Sequence, residues 1–265
     1  MIFLESAYIQ CKIYLLNMLK QERFNTILEA LESQNFVSLH DLMQLTSSSE
    51  STIRADLIEL SNSNKLIRLR GGAQAINNES VNFELDVERK MNIEVQAKRE
   101  IAKYAASLIP NNSIIYIDAG SSTYYLTNFI ESKKVKIITS SVIIAKRFKE
   151  KGFQTYIVGG EFKLTTDTFI GPMTQEILHR FNFDIGFFGT NGIDLEQGLT
   201  TPDIEEAMVK KTAMRQCKKI YVLADHSKFG IKTSIAFHPF VPEEIITDVI
   251  YDESFKNKQI KEVNK

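Results

Sequence analysis

Cysteine, histidine and net charge are what this chain has little of. Two cysteines, Cys11 and Cys217, stand far apart with no Cys-x-x-Cys spacing. That excludes a disulfide framework and a thiolate metal cluster, and it fits a reducing cytoplasm. Four histidines, His40, His179, His226 and His238, are scattered without ligand spacing, so neither a metal nor a cofactor is expected. The formal net charge is −1, so the molecule as a whole carries no basic signal for nucleic acid, and any DNA contact has to come from a local patch. No apolar run reaches the roughly 18–20 residues of a membrane span, so no membrane partner is expected. Residues 1–17 are apolar and aromatic, but Gln10-Cys11-Lys12 interrupts them, and they lack a basic n-region and an Ala-x-Ala cleavage site. A signal peptide is therefore not expected; residues 1–17 read as a disordered extension or an over-called start ahead of Met18.

What is there is ordinary globular composition, 43% hydrophobic and 25% charged over 265 residues, enough for one or two domains with a sizeable core. Phe24, Ile27, Leu28 and Leu31 fall on one helix face. Leu39, Leu42 and Met43 begin a second stripe, Thr46-Ser47-Ser48-Ser49 breaks it, and Glu50–Leu60 reads as a third helix burying Ile53, Leu57 and Leu60. Helix, short helix, polar turn and helix is helix-turn-helix order, here over about 37–56. Lys65–Arg70 then alternates, Gly71-Gly72 turns, and Ala73–Ile76 returns, which is a β-wing with Lys65, Arg68 and Arg70 outward. The expected DNA-binding residues are Ser49, Ser51, Thr52, Arg54, Arg68 and Arg70. The module at 18–76 is not basic overall: six basic residues (Lys20, Arg23, Arg54, Lys65, Arg68, Arg70) face seven acidic ones (Glu22, Glu29, Glu32, Asp41, Glu50, Asp56, Glu59). One module alone should bind DNA modestly, and pairing of modules in an oligomer would help.

Residues 77–96 are polar, mixed in charge and free of Gly and Pro, and read as a linker. From 97 to 265 strand-like runs (Ser113–Ile117, Val135–Thr139, Thr155–Val158, Ile185–Phe188, Lys219–Leu223, Ile245–Thr247) alternate with helical stretches, which predicts an α/β domain with a largely parallel sheet. Ligands of such sheets sit at the carboxyl ends of the strands. Asp118, Thr139-Ser140, Gly159-Gly160, Gly189-Thr190-Asn191 and Asp225 all fall there, and one rim would carry them. The stretch Asp118-Ala119-Gly120-Ser121-Ser122-Thr123, between a strand and a helical segment over Thr123–Ile130, offers hydroxyls and the open N–H groups of a helix start to a phosphate. Lys228, in Asp225–Gly230, can supply positive charge to the same anion. Glu205 or Glu206 could serve as a general base, but an acidic first turn that complements the helix dipole explains both more simply.

These residues carry a resemblance. Ser49–Leu57 followed by Arg70-Gly71-Gly72-Ala73 resembles the signature of DeoR-type bacterial repressors. So do Asp118–Thr123, Val158-Gly159-Gly160, Phe188–Gly192, Gly198–Pro202 and Ala224–Gly230, in order and with family spacing from Met18 to about Val249. Within the family the fructose-operon repressors of Gram-positive bacteria look nearest, the lactose-phosphotransferase repressors further off. The resemblance implies a non-enzymatic repressor that binds double-stranded operator DNA as a dimer or tetramer and releases it on binding a sugar phosphate such as fructose 1-phosphate. It also implies a sensor fold similar to ribose-5-phosphate isomerase. The effector residues would be Asp118, Gly120, Ser121, Ser122, Thr123, Thr139, Ser140, Gly160, Asn191, Glu206, Asp225 and Lys228. The chain departs from the family at Ala55, where a second Arg is usual, at Arg70 for His, at Ser122 for Thr and at Ser140 for Asn. The rival readings are a sugar-phosphate isomerase with an accessory domain and a repressor of a lactose or tagatose type of operon.

Overall fold

The computed structural model describes residues 19–264, except 35, 64, 70, 76–86 and 132–133. The extension 1–17, Arg70 of the wing and residues 77–86 of the expected linker lie outside the described residues. The chain divides into two compact units, Met1–Ser80 and Val81–Lys265.

The first unit is a winged helix. Helix α1 (Lys20–Gln34) buries Phe24, Ile27 and Leu31, the face their spacing predicts. Strand β1 (Phe36–Ser38) follows. Ser38 caps α2 (Leu39–Thr46): its hydroxyl accepts from the Asp41 N–H at 3.2 Å and donates to the Asp41 carboxylate at 2.6 Å, which satisfies one of the N–H groups a helix start leaves open. The chain turns through Ser47 at φ 50°, and Ser49 caps α3 (Glu50–Asn62) by accepting from the Thr52 N–H at 3.3 Å. Ile53, Leu57 and Leu60 meet Val37, Leu42 and Leu66 in the core. Arg23 on α1 grips Asp56 on α3 by a two-pronged contact, Nε to Oδ2 at 2.7 Å and Nη2 to Oδ1 at 3.1 Å. The wing is β2 (Leu66–Leu69) paired antiparallel with β3 (Gly72–Ala75), and β1 joins the far side of β3. Periodicity does not betray β1, because three residues are too few to show an alternation. A Cβ on Gly72 would lie 2.3 Å from the Val37 carbonyl oxygen, so β1 and β3 can close on each other only over glycine.

The second unit opens with α4 (Val87–Met91) and α5 (Val95–Ser107). Residues 87–96, assigned to the linker from sequence, therefore belong to this unit: Val87 is buried, and the Tyr125 hydroxyl donates to the Met91 carbonyl at 2.8 Å. Then come β4 (Ile114–Ile117), α6 (Ser121–Tyr124), β5 (Lys136–Thr139), α7 (Val142–Glu150), β6 (Gln154–Ile157), β7 (Glu161–Lys163) and β8 (Thr168–Ile170). The rest of the unit is α8 (Gly171–Leu178), β9 (Ile185–Gly189), β10 (Gly192–Asp194), β11 (Gly198–Thr201), α9 (Ile204–Arg215), β12 (Ile220–Leu223), β13 (Ile235–His238), β14 (Ile245–Thr247) and β15 (Lys261–Glu262).

Seven strands form one sheet in the order β15-β14-β12-β9-β4-β5-β6, every neighbouring pair parallel. The inner strands β4, β9 and β12 read as continuous apolar runs because both faces are covered, whereas the edge strands β6 and β15 carry polar, exposed residues. Ile115, Ile117, Ile137, Phe187 and Leu223 point to one face, against Ile101 and Ala105 of α5 and Ile144 and Phe148 of α7. Tyr116, Ile138, Phe188 and Val222 point to the other, against Leu178 of α8 and Ala207, Ala213 and Met214 of α9. That second face also receives a small antiparallel sheet, β10-β11-β13, through Ile193, Leu199 and Phe237. The six strands expected from sequence are all in the parallel sheet; the small sheet and the β7–β8 hairpin are additions. No helix among the described residues is long and apolar enough to cross a membrane.

The strand order decides where a ligand can sit. From β4 the chain moves outward to β5 and β6, then crosses back to place β9 on the other side of β4. The connections diverge between the carboxyl ends of β4 and β9, and that divergence opens a crevice.

Candidate functional site

An open cleft lies at that switch point. Ala119, Gly120, Ser121 and Ser122 line it from the end of β4, and Gly189, Thr190 and Asn191 from the end of β9. Glu206 and Lys210 of α9, Thr166, Lys228, and Val87 and Lys90 of α4 complete the wall. Three lysines and one glutamate thus belong to the lining.

Asp118 stands behind the loop. Its carboxylate accepts from the Gly189 N–H at 3.0 Å and from the Lys210 ammonium, which ties β4, β9 and α9 together at one point. Burial pushes the Asp118 carboxyl above its ordinary range, while the Lys210 charge and the two donors pull against it. Glu206 is engaged as well: Oε1 accepts from Lys163 Nζ at 2.8 Å and from the Thr166 hydroxyl at 2.7 Å. Lys163 also reaches Asp203 at 3.0 Å, the residue that caps α9 by accepting from the Glu206 N–H. Burial alone would raise the Asp203 carboxyl, but the Glu206 N–H and the Lys163 ammonium outweigh it and hold it below the usual range. At the acidic start of α9 one ammonium, that of Lys163, is thus shared by two carboxylates, Asp203 and Glu206.

The loop after β4 departs from expectation in one respect. The helix over Thr123–Ile130 is a single α-helical turn, Ser121–Tyr124, followed by a 3₁₀ turn, Tyr125–Asn128. So short a helix sums little dipole, and the lysines become the main source of positive potential.

The expected effector residues divide into three groups. Gly120, Ser121, Ser122, Asn191, Glu206 and Lys228 line the cleft. Asp118 and Ser140 line a smaller cavity beside it, where the Ser140 hydroxyl sits 3.2 Å from the Tyr116 hydroxyl and 3.1 Å from that of Thr168. Thr123, Thr139 and Asp225 are buried behind the surface, and Gly160, half-buried, lines neither cavity. The Thr123 hydroxyl donates to the Asp118 and Gly120 carbonyls at 2.7 and 2.9 Å, so it shapes the loop from inside. Thr139 Oγ1 accepts from the Ser141 N–H at 3.1 Å. Gly160 lies against Thr174, where a Cβ would come within 2.0 Å of the hydroxyl oxygen. Asp225 caps the 3₁₀ turn His226–Lys228 through the Ser227 N–H and hydroxyl. Lys210, Lys90 and Thr166 are wall residues that sequence reading missed, whereas Thr190, which it put on the rim, does line the cleft. Lys210 could have been found, since it lies one helical turn after Glu206 and shares its face. Lys90 carries no sequence signal.

In the first unit Ser51 and Arg54 are exposed along α3. Ser49 is tied down as a cap, its hydroxyl 2.9 Å from that of Ser51 and 2.8 Å from that of Thr52. Arg54 is paired with Glu50 one turn earlier, Nε to Oε1 at 2.8 Å. Arg68 is exposed on β2.

Comparison with known proteins adds to the geometry. Residues 23–79 match the DeoR-like helix-turn-helix domain and residues 93–253 the DeoR C-terminal sensor domain. An uncharacterised helix-turn-helix transcriptional regulator of Bacillus subtilis (strain 168), FruR, is 36% identical over 249 residues, 94% of this chain and 98% of that protein. The glycerol-3-phosphate regulon repressor of Escherichia coli (strain K12) is 32% identical over 215 residues, 80% of this chain and 84% of that repressor. Among solved structures, ribose 5-phosphate isomerase A from Methanocaldococcus jannaschii is similar over 51% of this chain and 54% of its own, at 17% identity and a TM-score of 0.38. A likeness that low carries nothing further.

Proposed function

The chain belongs to the DeoR family of helix-turn-helix transcriptional regulators, and from that premise we propose that it represses a sugar operon, fructose being the sugar, and lets go of operator DNA when a sugar phosphate fills the cleft. Its relatives are named as regulators, and the chain is a regulator rather than an enzyme. The observation that carries the proposal is the cleft itself: a hydroxyl-rich loop and three lysines around one glutamate that is held by Lys163 and Thr166, at the switch point of a parallel sheet. A phosphate monoester suits the lysines, and sugar hydroxyls suit Ser121, Ser122, Thr190 and Asn191. Asp118, Ser140, Thr123, Thr139, Gly160 and Asp225 serve the site from behind by fixing its wall. Fructose 1-phosphate is the effector the resemblance points to.

Ser51, Thr52 and Arg54 on α3, with Ser49 at its cap, are the proposed DNA contacts, joined by Arg68 and Arg70 on the wing. Arg54 has to exchange Glu50 for DNA. The protein acts in the cytoplasm as a homo-oligomer, whose paired modules compensate for the low net charge of one. Regulation requires that the effector bind the DNA-competent and DNA-incompetent arrangements with different affinity, since a ligand indifferent to the two shifts nothing.

The test is a gel shift on DNA selected from a random pool, titrated with fructose 1-phosphate, glycerol 3-phosphate and unphosphorylated fructose. Release by a sugar phosphate alone is expected, and Lys228→Ala should raise the concentration needed about tenfold. If no sugar phosphate alters DNA affinity, the proposal fails.

A further inference from the structure

Helix α4 is five residues long, too short to persist alone, yet it forms part of the cleft wall through Val87 and Lys90. It is held from below. The Lys98 ammonium, on a side chain only 2% exposed, donates to the Lys90 carbonyl at 2.6 Å and the Ile93 carbonyl at 2.7 Å. The Tyr125 hydroxyl holds the Met91 carbonyl at 2.8 Å. Lys98 also lies 4.0 Å from Asp225 Oδ2, an oxygen buried without a hydrogen-bond partner. Asp225 is the cap of the turn that carries Lys228. One position further along this segment, Glu94 Oε2 stands 4.0 Å from His226 Nε2 in that same turn. Segment 87–94 and turn 225–228 thus meet the cleft side by side, joined beneath it by Lys98.

We propose that Lys90 is a ligand of the bound phosphate together with Lys228, and that an occupied cleft thereby fixes segment 87–94, the stretch by which the chain enters the second unit after the DNA-binding one. This rests on the sugar-phosphate reading of the cleft. A dianion bridging two ammonium groups draws their backbones into one arrangement. The short helix, with few hydrogen bonds of its own to resist, is the element able to respond.

Calorimetry with fructose 1-phosphate on the full chain, beside amide hydrogen exchange with and without the ligand, tests this. Lys90→Gln should weaken binding about tenfold, Lys90→Arg should restore most of it, and thermal melting should show both variants folded. In the unaltered protein, exchange across 87–94 should slow on binding. An affinity of Lys90→Gln within about twofold of the unaltered protein, or exchange across 87–94 that ignores the ligand, overturns the inference while leaving the cleft assignment standing. If the unaltered protein binds no sugar phosphate, the assignment itself falls and takes this inference with it.

Discussion

Lys210→Met removes one charge of a buried pair and leaves the other. Lys210 and Asp118 side chains are 5% and 3% exposed, so water screens neither, and methionine keeps the stem that packs near Phe237. Deserting the Asp118 carboxylate should cost about 3–5 kcal/mol. For a domain of roughly 150–250 residues that is a fall of about 6–20 °C in Tm. The loss should shrink on acidification. Without Lys210 the folded-state pKa of Asp118 lies further above its unfolded value, so the folded state holds the extra proton, and stability falls as pH rises between the two values. Asp118→Asn combined with Lys210→Met should recover more than half of the loss, because an amide oxygen still accepts from the Gly189 N–H at no charge cost. Urea unfolding followed by circular dichroism at neutral and acid pH measures all three forms. A single-variant loss below about 1 kcal/mol, or a double variant no better than the single, would refute the view that the pair pins β4, β9 and α9 together.

Two further outcomes follow. Glu50→Gln frees Arg54 from its partner at 2.8 Å and removes a carboxylate from the DNA-facing end of α3; gel shifts at low salt should show affinity rising about two- to fivefold, and no change would remove Arg54 from the interface. Burial works against a charge on His226, but its hydrogen bond and charge contact with Asp248 outweigh this and raise its pKa above the ordinary 6.5. A raised folded-state value means stabilisation that is complete below about 6.5 and lost as pH climbs through the folded value, so His226→Gln should flatten the stability profile above that pH in thermal melts.

The parts of the molecule that were legible from sequence are those where one local rule is decisive. A strand buried on both faces has to be an unbroken apolar run, and Ile114–Ile117 and Ile220–Leu223 are such runs. The second helix-turn-helix helix shows itself by its capping serine, Ser49, and by Ile53, Leu57 and Leu60 on one face. What stayed hidden depends on groups far apart in the chain. Strand β1 exists because Gly72 allows its backbone to approach, a fact about position 72 that nothing at 36–38 records. The hydroxyls of Thr123 and Thr139 look like ligand donors in sequence, yet carbonyl and N–H groups of the folded loops claim them first. Residues 87–96 look like a linker because their sequence is polar and mixed in charge, while their place in the second unit is fixed through buried Val87 and the backbone carbonyls that Lys98 and Tyr125 hold.

The same distinction bears on how the cleft can act as a sensor. A phosphate cradled by one helix start would be bound by a single rigid turn, and binding would report little about the rest of the unit. Here the helix after the loop is one turn long, and the positive charge comes instead from Lys90 on α4, Lys210 on α9 and Lys228 after β12. Lysine is a point charge on a flexible stem, so each can follow the anion only as far as its own element permits. Affinity then depends on how those three elements stand relative to one another. By linkage, whatever shifts them shifts affinity, and the ligand shifts them in return. Of the three, α9 is anchored by the Asp118–Lys210 pair and by Glu206 with Lys163, and the turn 226–228 by Asp225 and Asp248. Helix α4, five residues long, is held by its buried Val87 and through carbonyls that one buried ammonium and one hydroxyl grip.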